Sequence, residues 1–524
     1  MNRAAKIPLN LKRHLAFLLL WAAGLLLVLS AGPKATGSPG STAEPAVDYL
    51  VLVSLDACRP DYFDLASLPN LTLLFSSGTV YSGAWVCSLE SNTPPGHTEI
   101  STGTFPRHNG IVGFGWINSE THEVFRPTTL EAINGGAMDR IVAENGVPTL
   151  AALIKSRWPA GRVAAVSAEK YYAAQGLGVG PSDFILYSES FTINGVKMLI
   201  PAALLGHEPG SQVMADPRLR LPDAAPGDSN VFAVRAALAL FKSYKPRALL
   251  LNLPATDISG HLTGGIVAPD TMRQVMIATD NALGELVAAY RAEGLLSRTL
   301  WVVTADHGMI PNSINIDQDS LRTIARSIGI RQAISVPYTY LDDPSRAGEL
   351  AEKIAQAHVP GITGAYAKCK AGLAWVYIPA PTTQAALPED LNRAYMELLS
   401  SCVGPIGPDL VVTTQENALL WSGETAPPLN SYGAHGPLTW GNQHIPLALA
   451  GPGIRVGLRS DFPARLVDVA PTIARLMGLS SEGMDGLVLA DALVIPSYGE
   501  VKLQETASLI FMPLRQALIK AFTK

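Results

Sequence analysis

Short, uninterrupted apolar runs separated by helical stretches are the feature that most limits how this chain can fold. The first run, "YLVLVSLDA" at 49–57, is hydrophobic at nearly every position rather than at every second one. Such continuity is expected of strands buried on both faces of a mostly parallel sheet. Segments between the runs, such as 271–293, have a helical pattern, so the alternation predicts a doubly wound α/β fold with helices on both faces. Four further runs of this kind lie at 162–169, 247–257, 300–308 and 445–453.

Length, charge and cysteine content narrow the class of protein. With 524 residues, 48% of them hydrophobic, the chain is long enough for one large domain with an inserted cap, or for two domains. A net charge of −5 without a long basic run argues against a nucleic-acid scaffold. The four cysteines are widely spaced and form no CxxC pattern, which gives little support for a thiolate zinc site. Their pairing is not fixed by the sequence; Cys58–Cys87 and Cys369–Cys402 are candidate disulfides.

The first 46 residues have the order of a targeting segment. A basic stretch at 1–14 precedes an apolar run of 15 residues at 15–29 and a linker rich in Pro, Gly and Ser. This is the order of a secretory signal, and the run is shorter than the roughly 20 residues that a membrane span needs. Leu29 at the −3 position gives a poor cleavage site after Ala31. A cleaved signal and an uncleaved membrane anchor therefore both fit, and both predict a secreted or periplasmic protein.

Beyond the linker, the rhythm of strands and helices is interrupted once. Residues 47–311 and 431–490 carry the α/β pattern, whereas 312–430 are richer in turn residues. We predict that 312–430 form an inserted α+β cap subdomain between the two parts of the core. The last segment, 491–524, is predicted to be an amphipathic tail that packs on the body. The sequence leaves the oligomeric state open.

The stretch "LESNTPPGHTEISTG" at 89–103 places Thr93 before two prolines and a run of small residues. Proline is tolerated in the first turn of a helix, where its missing N–H has no partner to lose. The pattern therefore predicts Thr93 at a helix N-terminus, which favours an anion. The residues alone leave two interpretations, a helix cap and a nucleophile that attacks a group held there.

Aspartates and histidines recur where apolar runs end or in glycine-rich turns. Carboxylates and imidazoles without thiolates suit zinc or a similar divalent metal. Ligands collect beyond the C-terminal ends of strands in such sheets, and six to seven ligands divide naturally between two metals. The residues are Asp56, Asp257, His261, Asp306, His307 and His435.

In this arrangement the chain resembles the type I phosphodiesterase/nucleotide pyrophosphatase family of the alkaline phosphatase superfamily. The resemblance covers 49–454 and implies an alkaline-phosphatase-like fold with two metal sites. It assigns Asp56, Thr93, Asp306 and His307 to one metal, and Asp257, His261 and His435 to the other. The motifs that carry it, in family order, are "VSLDACRPDYF", "SNTPPGHTEISTGTFPRHNGIVG", "TDISGH", "TADHGM" and "GAHG".

The resemblance also implies a reaction. Thr93 would be a metal-activated nucleophile that attacks phosphorus in line and forms a phosphoryl-threonine intermediate, which water then hydrolyses. The substrate would be a small phosphate ester, and the metals would be two Zn²⁺ ions.

Departures from the family pattern bear on the substrate. Phe114 stands where a phosphate-binding Asn is often found, so Asn92 or Asn118 would have to supply the donor and Phe114 would offer a stacking wall. No Arg follows Lys170 two residues later, whereas some related phosphatases have a Lys-x-Arg pair. Fewer cations near the site favour a diester as substrate over the more highly charged monoester.

Three alternatives remain at this point. The first is a phosphomonoesterase or phosphonate hydrolase on the same metals, and the second is a non-catalytic binding module on the same scaffold. The third, a sulfatase, fits poorly because Thr93 cannot become formylglycine and His97 replaces the Arg of the sulfatase signature.

Overall fold

The structure is a computed structural model that describes residues 47–333, 338–421, 423 and 425–523. The predicted signal or anchor at 1–46 lies outside the described residues. Within them, no helix combines the length and the apolar character needed to span a membrane. All four cysteines are free thiols, so the candidate pairs Cys58–Cys87 and Cys369–Cys402 are wrong for this structure.

One ten-stranded sheet organises the chain, in the order β21-β2-β20-β10-β1-β9-β5-β6-β7-β8. Its centre, β10-β1-β9-β5-β6, is parallel throughout. The strands of this sheet are β1 (Tyr49–Leu55), β2 (Gly78–Tyr81), β5 (Val163–Val166), β6 (Phe184–Ile193), β7 (Val196–Ala203), β8 (Leu221–Pro222), β9 (Ala248–Leu253), β10 (Thr299–Thr304), β20 (Leu447–Ala450) and β21 (Leu458–Ser460).

The five apolar runs correspond to strands β1, β5, β9, β10 and β20. From Leu50 to Leu55 every residue of β1 is buried, because the strand lies between β9 and β10 with helices on both faces of the sheet. One run departs from the parallel expectation, since β20 runs antiparallel to both β10 and β2. The mostly parallel, doubly wound α/β prediction is otherwise confirmed.

Helices connect the strands. The α-helices are α1 (Pro69–Ser76), α2 (Thr93–Thr102), α3 (Pro106–Asn109), α4 (Leu130–Asn134), α5 (Ala137–Glu144), α6 (Leu150–Arg157), α7 (Tyr171–Gly178), α8 (Ser211–Met214), α9 (Asp228–Tyr244), α10 (Ala255–Thr263), α11 (Pro269–Ala292), α12 (Gln318–Ser327), α13 (Ala347–Gln356), α14 (Pro381–Ala386), α15 (Glu389–Ser400), α16 (Trp440–Gln443), α17 (Val469–Leu476) and α18 (Tyr498–Phe522). Short 3₁₀ helices lie at Pro60–Leu65, Pro217–Leu219, Gly265–Val267, Leu296–Arg298, Pro344–Arg346, Leu466–Asp468 and Ala490–Ala492.

A second sheet of five strands, in the order β13-β14-β17-β15-β16, lies within the predicted insert. It has a hydrophobic core of its own, to which Leu321, Leu350, Ile354 and Val412 belong. The insert boundaries of 312 and 430 remain a prediction. The remaining strands are β3 (Trp116–Ile117), β4 (Val124–Phe125), β11 (Ile310–Pro311), β12 (Ile314–Asp317), β13 (Gln332–Ala333), β14 (Tyr338–Leu341), β15 (Ile362–Ala371), β16 (Ala374–Pro379), β17 (Leu410–Thr414), β18 (Ala418–Trp421) and β19 (Gly433–Ala434).

The C-terminal tail forms the long helix α18, which begins with a capping box between Ser497 and Glu500. Its Phe511 and Leu518 are buried, and Arg515 donates to the carbonyl oxygen of Gly83 at 3.0 Å. The helix therefore packs against the body along one face.

Candidate metal centre

The candidate ligands gather at the C-terminal ends of three neighbouring strands. Asp56 directly follows β1, Asp257 lies in the first turn of α10 after β9, and Asp306 follows β10. Because β9, β1 and β10 are adjacent and parallel, the three carboxylates meet at one edge of the sheet. This edge is the expected ligand-binding side of an open α/β sheet.

Asp56, Asp306 and His307 form one group, called here the inner cluster. Their potential ligand atoms lie within 4.8 Å of one another, and their side chains are 0% exposed. His307 Nε2 is 3.2 Å from Asp306 Oδ2 and 3.7 Å from Asp56 Oδ1. Backbone N–H groups of Ala57 and His307 donate to the other Asp306 oxygen at 3.1 and 3.0 Å. That arrangement fixes Oδ1 and leaves Oδ2 turned towards His307.

Asp257, His261 and His435 form a second group, the outer cluster, with ligand atoms again within 4.8 Å of one another. Asp257 Oδ1 lies 3.4 Å from His261 Nε2 and 3.3 Å from His435 Nε2. Asp257 and His261 are neighbours on one face of α10, since they are four residues apart. His435 lies in the loop after β19. The centroid of its ring is 3.9 Å from that of His307 in the inner cluster.

The three histidines of the clusters, in the order His307, His261 and His435, are oriented in the same way. Their Nδ1 atoms contact the backbone carbonyl oxygens of Gly308, Gly433 and Ser91 at 2.9, 2.8 and 3.1 Å respectively. Because a carbonyl oxygen only accepts, each Nδ1 carries a hydrogen, so in the neutral form of each ring Nε2 is free to bind a metal. Metal-ligating histidines are typically held by such a hydrogen bond.

Two buried carboxylate oxygens, Asp257 Oδ1 and Asp306 Oδ2, have no hydrogen-bond partner. Each faces the Nε2 side of a histidine. A buried charged oxygen without a donor is costly, and a divalent cation among these atoms would remove that cost. The donor set of carboxylates and imidazoles fits zinc, so the residues present fit two metal ions, one in each cluster.

The electrostatics differ between the two clusters. Burial raises the pKa of Asp56, with the Asp306 carboxylate adding to the effect, and burial also raises the pKa of Asp306. Burial opposes ionisation of Asp257 too, but Lys170 and the two outer histidines outweigh it and hold that pKa well below its usual range. Burial lowers the pKa of His307 and of His435 to about 4. Both rings are therefore neutral near pH 7, as ligation requires.

Thr93 is the first residue of α2, with Asn92 as the N-cap residue. Its side chain is buried, and its Oγ1 lies 3.4 Å from His307 Nε2. The cap itself makes no side-chain hydrogen bond, so Thr93 is not a helix-capping residue. Its hydroxyl instead points at the inner cluster.

Close backbone packing holds α2 beside the inner cluster. A Cβ on Gly96 would lie 2.8 Å from the carbonyl oxygen of Asp306, which leaves room for glycine alone. His97 is buried and its Nδ1 contacts the carbonyl oxygen of Thr93 at 2.8 Å, with Asp306 Oδ2 at 3.4 Å. The helix that carries Thr93 is thus fitted directly onto the segment that carries Asp306.

Comparison with known proteins decides the family. The model of the type I phosphodiesterase / nucleotide pyrophosphatase family matches residues 50–437, which is most of the chain. The chain belongs to this family. It is accordingly a hydrolase of phosphoric esters, of the phosphodiesterase/nucleotide pyrophosphatase type, in a metal-dependent family.

Two curated relatives are similar in sequence. Mouse "Bis(5'-adenosyl)-triphosphatase enpp4" is 23% identical over 482 residues, which cover 91% of this chain and 88% of the relative. A fission-yeast protein, "Uncharacterized pyrophosphatase/phosphodiesterase C725.05c", is 23% identical over 275 residues, 51% of this chain and 46% of that protein.

Solved structures confirm the alkaline-phosphatase-like fold. A variant of alkaline phosphatase PafA has a TM-score of 0.63 at 15% identity and covers 86% of this chain and all of that chain. Murine ectonucleotide pyrophosphatase/phosphodiesterase 5, in an inactive threonine-to-alanine form complexed with AMP, has a TM-score of 0.56 at 17% identity. It covers 87% of this chain and 99% of that chain.

A lysine side chain also reaches the two clusters. Lys170 Nζ lies 3.0 Å from Asp56 Oδ1 and 2.6 Å from Asp257 Oδ2, so it bridges the two clusters. The sequence pattern alone does not place Lys170 between the two clusters. The signal that would have found its position is that it follows β5, the strand next to β9.

The predicted substrate-contact residues differ in their surroundings. Asn92 Nδ2 donates to the buried Glu90 carboxylate at 2.7 Å. Phe114 is 45% exposed, and its ring meets the ring of Tyr172 edge to face at 5.1 Å. The Asn118 side chain instead accepts from the backbone N–H groups of the turn that follows it. Asn92 directly precedes Thr93 at the start of α2, whereas the Asn118 side chain is held within its own turn.

Proposed function

We propose that this enzyme is a two-zinc phosphodiesterase in which Thr93 is the covalent nucleophile. The observation that carries the proposal is the buried Thr93 hydroxyl, 3.4 Å from His307 Nε2, beside two carboxylate–imidazole clusters. Thr93, Asp56, Asp306 and His307 would hold one metal. The outer cluster would hold the other.

When bound, two such ions would lower the pKa of the Thr93 hydroxyl and neutralise charge on the phosphoryl oxygens. The chain supplies the geometry. Thr93 Oγ loses its proton as it bonds to phosphorus, and the P–O bond to the opposite ester oxygen breaks. That oxygen leaves with the bonding electrons and takes up a proton, as an alcohol or nucleotide. Water then bonds to phosphorus, the P–O bond to Thr93 breaks, and one proton of that water restores the Thr93 hydroxyl as the phosphate monoester is released. An inactive threonine-to-alanine variant of the murine relative supports a catalytic threonine in this fold.

Positioning of the substrate is assigned to the first turn of α2 and to the mouth of the site. Pro94 and Pro95 have no N–H, and the N–H of Gly96 donates to the carbonyl oxygen of Asn92. The N–H of Thr93 and the amide of Asn92 are the donors proposed for the phosphoryl oxygens. A helix N-terminus adds a favourable potential for the anion.

We assign diesters and nucleotide pyrophosphates as the preferred substrates. Phe114 replaces a polar phosphate contact, and a missing charge-assisted hydrogen bond weakens a bound dianion by about 1.5–3 kcal/mol. The exposed face of Phe114 beside Tyr172 offers a surface on which a nucleobase would stack. AMP bound to the murine relative supports a nucleotide.

The test is a comparison of kcat/KM for the mono- and diesters of p-nitrophenol, with zinc present. We expect the diester to be cleaved more efficiently. A monoester preference of tenfold or more would overturn the diester assignment and leave a phosphomonoesterase on the same metals. Fewer than about one bound metal per chain, in protein purified without chelator, would instead favour a binding module.

The insert is proposed to cap the site and to help select the leaving group. Tyr338 of β14 donates its hydroxyl to the carbonyl oxygen of Leu89 at 2.8 Å and also contacts that of Gly436. These two loops lead into Thr93 and out of His435, so the insert is tied to both clusters. Elements that close over a substrate commonly exclude water.

The variant Tyr338→Phe removes only that hydroxyl. We expect it to change the ranking of large against small diesters while activity on a small aryl diester is largely kept. Tyr340→Phe is the matched control, because the Tyr340 hydroxyl bonds within the insert, to the carbonyl oxygen of Ile406. An unchanged ranking in Tyr338→Phe would limit this contact to a structural role.

The site of action is proposed from the N-terminal sequence. A basic stretch followed by the apolar run at 15–29 predicts export, with the enzyme either released or tethered by that run. Mass spectrometry of the mature N-terminus separates the two. Recovery from the cytosol with the basic stretch intact would contradict export.

A further inference from the structure

Lys170 is a buried lysine at the start of a helix. It follows β5 through a turn in which Glu169 has a left-handed backbone, with φ of 59°, a conformation that costs energy in residues other than glycine. Lys170 is then the N-cap residue of α7. Its side chain is 10% exposed, and its ammonium group reaches one carboxylate of each cluster.

The carboxylate oxygens are divided between Lys170 and other groups. On Asp257, Oδ2 bonds Lys170 at 2.6 Å, while Oδ1 faces His261 and His435 and has no donor. On Asp56, Oδ2 accepts from Asn252 at 3.0 Å, and Oδ1 bonds Lys170 at 3.0 Å. Lys170 therefore competes with a metal ion for Asp56 Oδ1 and shares the charge of Asp257.

The charge balance gives this contact a consequence for metal binding. The carboxylates of Asp56, Asp257 and Asp306 lie close together at the site, and Lys170 places a positive charge against two of them. Like charges at short range in a partly desolvated site repel strongly. A divalent ion that enters either cluster consequently meets a resident positive charge.

We propose that Lys170 is a resident cation that stabilises the two clusters without metal and, in return, weakens their binding of divalent metal ions. This inference rests on the proposed two-metal site. Buried carboxylates without a partner destabilise a fold, so Lys170 allows the chain to fold before zinc is acquired. The same charge keeps the bound zinc exchangeable.

The experiment compares wild type with Lys170→Met, which removes the charge and keeps a long side chain. Zinc affinity is measured by competition with a chromophoric chelator, zinc stoichiometry by elemental analysis, and Tm with zinc and after chelation. We expect Lys170→Met to bind zinc at least tenfold more tightly and to unfold at a lower temperature than wild type once zinc is removed. A lysine with only a packing role would not produce these opposite changes.

Two further variants make the result specific. Lys502→Met is the control, because Lys502 pairs with a carboxylate, that of Glu505 at 2.6 Å, at an exposed position on α18. We expect its zinc affinity to equal that of wild type. Lys170→Arg keeps the positive charge. If that charge is what weakens zinc binding, this variant should bind zinc within about threefold of the wild-type affinity. It also tests the inference should Lys170→Met fail to fold.

Each outcome separates this inference from the proposed function. Unchanged or weaker zinc binding by Lys170→Met would overturn the inference alone. So would zinc binding by Lys170→Arg as tight as that expected of Lys170→Met. A wild-type protein that binds no zinc would overturn the proposed function and this inference together.

Discussion

The inner and outer clusters use similar residues but differ in how the fold holds them. Inner-cluster side chains are 0% exposed, and backbone N–H groups fix one oxygen of Asp306. In the outer cluster the His261 side chain is 31% exposed and that of His435 is 10% exposed. The inner cluster is part of the protein core, whereas the outer cluster is partly exposed through His261 and depends on a loop that returns after the insert.

This difference has a chemical meaning. Burial raises the pKa values of Asp56 and Asp306, whereas Lys170 and the outer histidines hold that of Asp257 well below its usual range. In the proposed function, the inner cluster, which contacts Thr93, would activate the nucleophile. The outer cluster would hold the phosphoryl group. Loss of an inner ligand should therefore damage catalysis more than loss of an exposed outer ligand.

The largest effect is expected from Asp306→Asn. The amide carries no charge, so it would not hold the inner metal or help to activate Thr93, and we expect kcat to fall by at least 10³-fold. Zinc content should fall by about one ion per chain. A variant that keeps two zinc ions and more than a tenth of wild-type activity would break the distinction between the clusters.

A smaller effect is expected from His261→Asn. The side chain is partly exposed, and Asp257 and His435 remain as outer ligands, so we expect kcat to fall by roughly 10–100-fold. Chelator challenge should release the outer zinc of this variant first and leave the inner zinc in place. Simultaneous loss of both ions would show that the clusters behave as one unit.

Gly96→Ala tests the fit between α2 and the inner cluster. The added methyl group would lie 2.8 Å from the carbonyl oxygen of Asp306, and overpacking of this kind costs about 1–3 kcal/mol. We expect lower Tm and lower kcat, with little change in zinc affinity of the outer cluster. Gly348→Ala in α13 is the control, since its Cβ would meet nothing within 4 Å and Ala favours a helix by up to about 1 kcal/mol.

The smallest effect is expected from Ala57→Gly. Ala57 has a left-handed backbone with φ of 54°, and its N–H holds Asp306. Glycine adopts this conformation without strain but loses more entropy on folding. We expect a rise of about 1 kcal/mol or less in the free energy of unfolding, measured by urea denaturation. A clear loss of stability would show that the alanine side chain contributes packing that outweighs the strain.

The sequence predicted the parts of the site that lie on a single motif. Asp306 and His307 are adjacent, and Asp257 and His261 are one helical turn apart, so strand ends and spacing were enough to find them. Lys170 was not placed, because its role depends on β5, β9 and β1 being neighbours, and strand order is not visible in the pattern. The antiparallel direction of β20 is not visible in the sequence either, because a buried strand has the same hydrophobic pattern in both directions.

Thr93 is proposed to form the covalent bond to phosphorus at a two-zinc site. The most direct measurement is kcat on bis-p-nitrophenyl phosphate for Thr93→Ala, with zinc content and Tm determined on the same sample. Thr93 is the first helical residue and makes no cap bond, so folding should be little affected. We predict a loss of at least 10³-fold in kcat, typical of removal of a nucleophile, with about two zinc ions retained. Near-full activity in Thr93→Ala, with normal zinc content, would contradict a covalent role for Thr93.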